Sequence, residues 1–177
     1  MQSETRVIKN CIELLEQVFD LIERIDDQVY VSTTTISPRA SIGGHLRHVL
    51  DFYRCFLSGV RSGRVDYNLR RRDPAVEQDR VHAQRSIREL VVGLRSLKPS
   101  GADRDALLVS TEDDGASVPS WSVSSIRREL DFLQSHTIHH CSLIAMLLRS
   151  QAIEPDARFG VAPSTLKHWR EEAICAR

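Results

Sequence analysis

No stretch of this sequence approaches the roughly 18 consecutive apolar residues that a membrane-spanning helix needs. It also lacks a charge surplus, since 24 basic side chains balance 24 acidic ones. A protein that lives on nucleic acid normally carries a basic excess to displace counterions, so neutrality argues against such a partner. The short run Arg70, Arg71, Arg72 is followed by Asp73, Glu77 and Asp79 and reads as a solvated face. Cysteines are few, and Cys11, Cys55, Cys141 and Cys175 form no CxxC pair. Three of them fall in apolar helical patterns, where a free thiol behaves as a small hydrophobe, so no disulfide framework is expected. The first residues, MQSETRVIKNCIELLEQ, scatter charges among apolar positions, unlike a secretory leader. Together these absences predict a soluble cytoplasmic protein with neither a nucleic-acid nor a membrane partner.

Aromatics are scarce too, at 6%, and Leu, Ile and Val dominate the apolar set. That balance favours helices packed on helices. Residues 5–28 carry Val7, Ile8, Cys11, Leu14, Leu15, Val18, Phe19, Ile22 and Ile25 at helical intervals. A polar stretch over 31–40 with Pro38 reads as a loop. Ser41 then fits the N-cap of a second helix reaching Gly59 or Arg61. The polar segment 64–74 ends in Pro74, well suited to open a third helix that runs to Leu97. ALLVS, TEDDGAS and VPSWSV, within 106–123, read as two short extended pieces around an Asp-Gly turn, a hairpin insertion. A long last helix starts near Ser124 or Ser125 and continues to Gln151, followed by a short amphipathic piece from Ser164 to Ala173. The 177 residues make one domain, 1–177. Its expected class is all-α: a four-helix bundle with a small hairpin inserted before the last long helix.

The histidines are the most informative residues. Three of the seven crowd into SHTIHH (His136, His139, His140) and two into GGHLRH (His45, His48). At about 100° per residue, His136 and His140 lie about 40° apart on the last helix, one turn above the other. Two imidazoles at that spacing can aim nitrogens at a common point, as paired histidines of helical zinc sites do. The apolar stripe Ile126, Leu130, Leu133, Ile144, Leu147 is expected to have His140 at its centre, with His139 on the flank. Burying several imidazoles without partners is costly, and a shared metal ion answers that cost. On the second helix the stripe Ile42, Val49, Tyr53, Phe56, Val60 has His45 nearer its centre than His48, so periodicity alone favours His45 by a small margin as the third ligand, with His48 at the stripe's edge.

The segments SIGGHLRHVLDFY, VDYNLRRRD, SHTIHHCSLI and FGVAPSTL resemble the DinB/YfiT-like family of metal-binding helical bundles. That family carries H-x-x-D in its second helix, here His48 to Asp51, and HxxHH in its last, here His136 to His140. The resemblance implies a divalent transition metal on His48, His136 and His140, with His45 as the alternative to His48. Three imidazoles suit zinc, nickel or iron without choosing among them. It further implies an enzyme that activates a low-molecular-weight thiol, a metal- and thiol-dependent transferase. A metal-dependent hydrolase, or a non-catalytic stress-associated metal module, are the alternatives. The expected partner is a small-molecule substrate, with a homodimer as a further expectation.

Other residues carry lesser expectations. Asp51 could support His48 from behind or pair with Arg47 or Arg54 on the helix surface. Tyr53, Tyr67, Arg71 and Asp73 are candidates for a pocket mouth, with segment 64–74 as the rim of the metal site. Trp121 is expected to cover the bundle. Cys141 points about 100° away from His140 and is not expected to be a ligand.

Overall fold

The computed structural model describes residues 2–97, 106–110 and 120–175, the expected Asp-Gly turn lying outside them. Four long helices dominate: α1 (Gln2–Arg24), α3 (Ile42–Val60), α5 (Arg80–Ser96) and α6 (Ile126–Ser150). Between them stand two one-turn helices, α2 (Asp27–Val31) and α4 (Pro74–Gln78), and α7 (Pro163–Cys175) closes the described chain. α1 packs on α5 and α6, and α3 packs on the same two. Each buries one stripe. In α1 that stripe is Val7, Ile8, Cys11, Leu14, Leu15, Val18 and Ile22, the three- and four-residue rhythm of its sequence.

The ends follow local chemistry. Ser41 Oγ accepts a hydrogen bond from Gly44 N at 3.0 Å and starts α3, and Ser125 Oγ does the same for Arg128 N at the head of α6. Pro74 opens α4 behind the cap Asp73. The expected continuous helix from Pro74 to Leu97 is two helices, because Asp79 takes an extended backbone and its carboxylate accepts from Val81 N and His82 N. The helix expected over 5–28 likewise stops at Arg24, and Asp26 caps α2 through Val29 N.

The expectation of an all-α chain is corrected. The molecule is mostly helical but contains a three-stranded sheet, β1 (Arg64–Asp66), β2 (Ala106–Ser110) and β3 (Ser122–Ser125), in the order β1-β2-β3. β2 is the first expected extended piece, and β3 overlaps the second at Ser122 and Val123 but runs on to Ser125, where the last helix was expected to begin; the two pair antiparallel with Leu107 opposite Ser124. β1, read from sequence as loop, adds itself parallel to β2 with Val65 opposite Val109. Val65, Leu107 and Val109 bury the inner face, the two-residue period of a half-buried strand. Gly63, with φ +71°, makes the left-handed turn from α3 into β1, and its carbonyl accepts from Leu108 N at 2.9 Å.

No described helix is long and apolar enough to cross a membrane.

Candidate metal centre

α3 and α6 pack side by side, and each turns a row of aromatic and imidazole side chains to the same place. On α3 the row is His45, His48 and Phe52; on α6 it is Phe132, His136 and His140. All are spaced three or four residues apart, so each row runs along one edge of its helix. The centre of the buried α6 stripe is Leu133, Thr137, Cys141 and Ile144. His140 is therefore half-buried at the stripe's edge, not at its centre as the apolar pattern suggested. The stripe chosen from sequence left out Thr137 and Cys141, both fully packed, and so put its centre too close to His140. An edge position is also where an imidazole can reach both core and solvent.

His48 Nε2 lies 3.1 Å from His136 Nε2. One ring nitrogen from each of His48, His136 and His140 falls within 4.8 Å of the other two. Among the described residues no carboxylate, thiol or fourth histidine joins this group. His45 touches it from outside, with Nδ1 3.0 Å from His140 Nδ1. His139 is exposed on the flank, as its helical angle predicts.

One side of the cluster is walled by rings. Phe52 lies 4.9 Å from His48 and 4.6 Å from His136 between centroids, and Phe132 stacks on His136. Tyr67 stacks in turn on Phe52. Phe52 and Phe132 escaped the sequence reading, although each is four residues from a histidine and so shares its face. Burial against this wall pushes the His48 and His136 pKa values down to about 4. The Arg70 guanidinium adds to the fall at both, and His48 itself adds to it at His136. Burial, and then the neighbouring His136 and His48, take His140 down to about 3. The three rings are neutral at pH 7, with lone pairs free, which is the form that binds metal.

The fit of these residues to a divalent ion can be tested on the geometry. With nitrogen-to-zinc bonds of about 2.0–2.1 Å, two nitrogens of a tetrahedral site stand about 3.3 Å apart. The 3.1 Å between His48 Nε2 and His136 Nε2 is close to that edge. Three neutral imidazoles converging from two helices, with two of their nitrogens at this spacing, suit a divalent transition metal.

Several expectations about the surroundings change. Asp51 is buried, not on the helix surface; it lies 3.5 Å from both Arg47 Nη1 and Arg54 Nη1. Tyr53 and Tyr67 are core residues, bonded to Thr137 Oγ1 at 3.1 Å and to the buried Glu129 carboxylate at 3.0 Å. Arg71 and Asp73 do line a cleft, along with much of segment 64–74, but none of the clustered histidines lines it. Trp121 is 38% exposed with the Arg64 guanidinium 5.8 Å from its ring centre, so it does not cover the core. Cys141 is sealed in the core, where burial pushes its thiol up to about 12.

No family model matches the chain, and no solved structure matches it. A protein of Rhizopus delemar named FK506-binding protein 5 is 26% identical to it over 167 residues, which is 93% of this chain. The chain spans 38% of that relative's length.

Proposed function

We propose that this chain is a DinB-like metal-binding protein holding one divalent transition-metal ion, such as zinc, nickel or iron, on His48, His136 and His140. The observation that carries the reading is the convergence of three neutral imidazoles, from two helices, within 4.8 Å. The mutual packing of α1, α3, α5 and α6 supports the finer reading of the fold as a four-helix bundle to which the sheet is added. The fungal relative's name speaks of binding FK506, and the metal reading draws nothing from it.

The same site supports a metal- and thiol-dependent transferase acting on a small-molecule thiol. An ion bound there would supply Lewis acidity, lowering the pKa of a thiol beside it towards neutrality. The chain's own residues do the rest. His48, His136 and His140 hold three positions and, among the described residues, leave no fourth protein ligand in the group. Phe52 and Phe132 keep water from one side and hold the rings in place. The nearby Arg47 and Arg70 favour a thiolate over a thiol. The free cysteines Cys11, Cys55 and Cys141 agree with a reducing, cytoplasmic setting.

The test is spectroscopic. Adding a small thiol to the cobalt-substituted protein should produce a sulfur-to-metal charge-transfer band. A response to azide but not to thiols would favour a metal-dependent hydrolase. A spectrum unmoved by either would make the ion structural.

A further inference from the structure

A concave surface stands apart from the clustered histidines. It is a cleft of about 790 Å³ between α3, segment 64–74 and α5, within the size range of small-molecule sites. Six arginines and four carboxylates line it. The pairing among them is uneven. Arg54 reaches Asp73 at 3.2 Å and Asp51 at 3.5 Å, and His82 Nε2 also meets Asp73 at 3.0 Å. Asp66 accepts from Asn68 N. Among the described residues, Arg70, Arg71, Arg72 and Arg85 make no ion pair, although all four line this one cleft. Arg70 donates to the Tyr67 carbonyl at 2.7 Å, which fixes its guanidinium at the cleft wall. Six arginines against four carboxylates leave the lining with surplus positive charge, which an anion seated among the unpaired arginines relieves.

A second observation describes the ligand further. Asp51 is 1% exposed, lines the cleft, and its Oδ2 has no hydrogen-bond partner. Arg47 Nη1 forms an ion pair with it at 3.5 Å, beyond good hydrogen-bond length. A buried carboxylate oxygen left in this state calls for a donor from the ligand. The chain as a whole is neutral, and a concave site with carboxylates in its lining repels a long phosphodiester backbone.

We infer that this cleft binds a small organic anion, a carboxylate or a phosphate, that also carries a hydroxyl or ammonium donor. The anionic group sits among Arg70, Arg71 and Arg72, and the donor faces Asp51. No histidine of the cluster lines this cleft, and the two sites adjoin at Arg70, whose guanidinium also lies 4.7 Å over the Phe52 ring beside the histidines.

Calorimetric titration of the full chain tests it, with malate, glycerol 3-phosphate and succinate as probes. At least one of malate and glycerol 3-phosphate should bind saturably, one per chain, and more weakly as salt rises. Preference between those two tells a carboxylate ligand from a phosphate ligand. Succinate, which lacks the hydroxyl, should bind more weakly than malate. The exposed, unpaired Arg71 and Arg72 can be replaced without disturbing the fold, and Arg71→Gln with Arg72→Gln should weaken binding about tenfold or more. Arg127→Gln, outside the cleft, should leave it unchanged. Absence of saturable binding by either hydroxylated probe, or equal affinity in the double variant, overturns the inference. So does binding that disappears in the His136→Ala, His140→Ala double variant, which would put the anion at the histidines. A single-stranded oligonucleotide binding more tightly than any small probe would also overturn it.

Discussion

His45 Nδ1 lies 3.0 Å from His140 Nδ1, so the extra histidine of α3 touches a candidate ligand instead of the convergence point. Burial lowers the pKa of both rings, and between two neutral imidazoles one Nδ1 donates and the other accepts. That contact orients the His140 ring, and with His140 Nδ1 as the donor it leaves the Nε2 lone pair for an ion. Losing such a supporting partner typically costs about 10–100-fold in metal affinity. Competition against a chromophoric chelator should find that loss in His45→Ala and a far larger one in His48→Ala. Equal losses would make His45 a ligand in its own right.

The depressed histidines also predict an acid-sensitive fold. In the unfolded chain these rings titrate near 6.5; in the folded protein His48 and His136 titrate near 4 and His140 near 3. Below pH 6.5 the unfolded state therefore binds more protons, and stability falls as pH falls through the window from about 6.5 to about 4. Asp73 and Asp79, whose pKa values are lowered, lose their contribution only from about 3.8 downward, so the upper part of that window belongs to the histidines. Urea midpoints of chelator-treated protein should drop between about pH 7 and 5. Replacing His48, His136 and His140 with Gln should flatten the slope. An equally steep slope in the triple variant would assign it elsewhere.

The GG of GGHLRH predicts an effect of opposite sign to helix propensity. A Cβ on Gly43 would run into the Glu77 carbonyl oxygen and the Tyr30 ring, so α3 and α4 approach through this glycine. Alanine is normally better in a helix by about 1 kcal/mol. Overpacking against backbone costs roughly 1–3 kcal/mol, and Gly43→Ala should come out destabilising. A higher melting temperature in that variant would mean that α4 is free to move away.

What could be read from sequence was the chemistry carried by near neighbours in the chain. The caps Ser41 and Ser125, the proline that opens α4, and the ligand spacing of His136 and His140 all depend on contacts within one turn of helix. Asp79 was within reach on the same grounds, since an aspartate there satisfies two free amides and splits the expected helix. β1 was out of reach. Its three residues become a strand only by pairing with β2, more than forty positions on, and nothing in Arg64–Asp66 announces that partner. The apolar pattern of α3 favours His45, yet it is the His48 ring that groups with His136 and His140, because interhelical rotation decides between them. The arginine cleft is another non-local product: Arg71 and Arg72 are exposed, as a solvated face would be, but only the fold brings them onto one concave surface with α3 and α5.

Elemental analysis of the protein purified without a nickel column, beside its His136→Ala, His140→Ala variant, decides whether the clustered imidazoles hold an ion. The geometry predicts about one transition-metal ion per chain, and close to none in the variant. Metal content near zero in the unaltered protein under metal-replete growth, or unchanged in the variant, would contradict the three-histidine site.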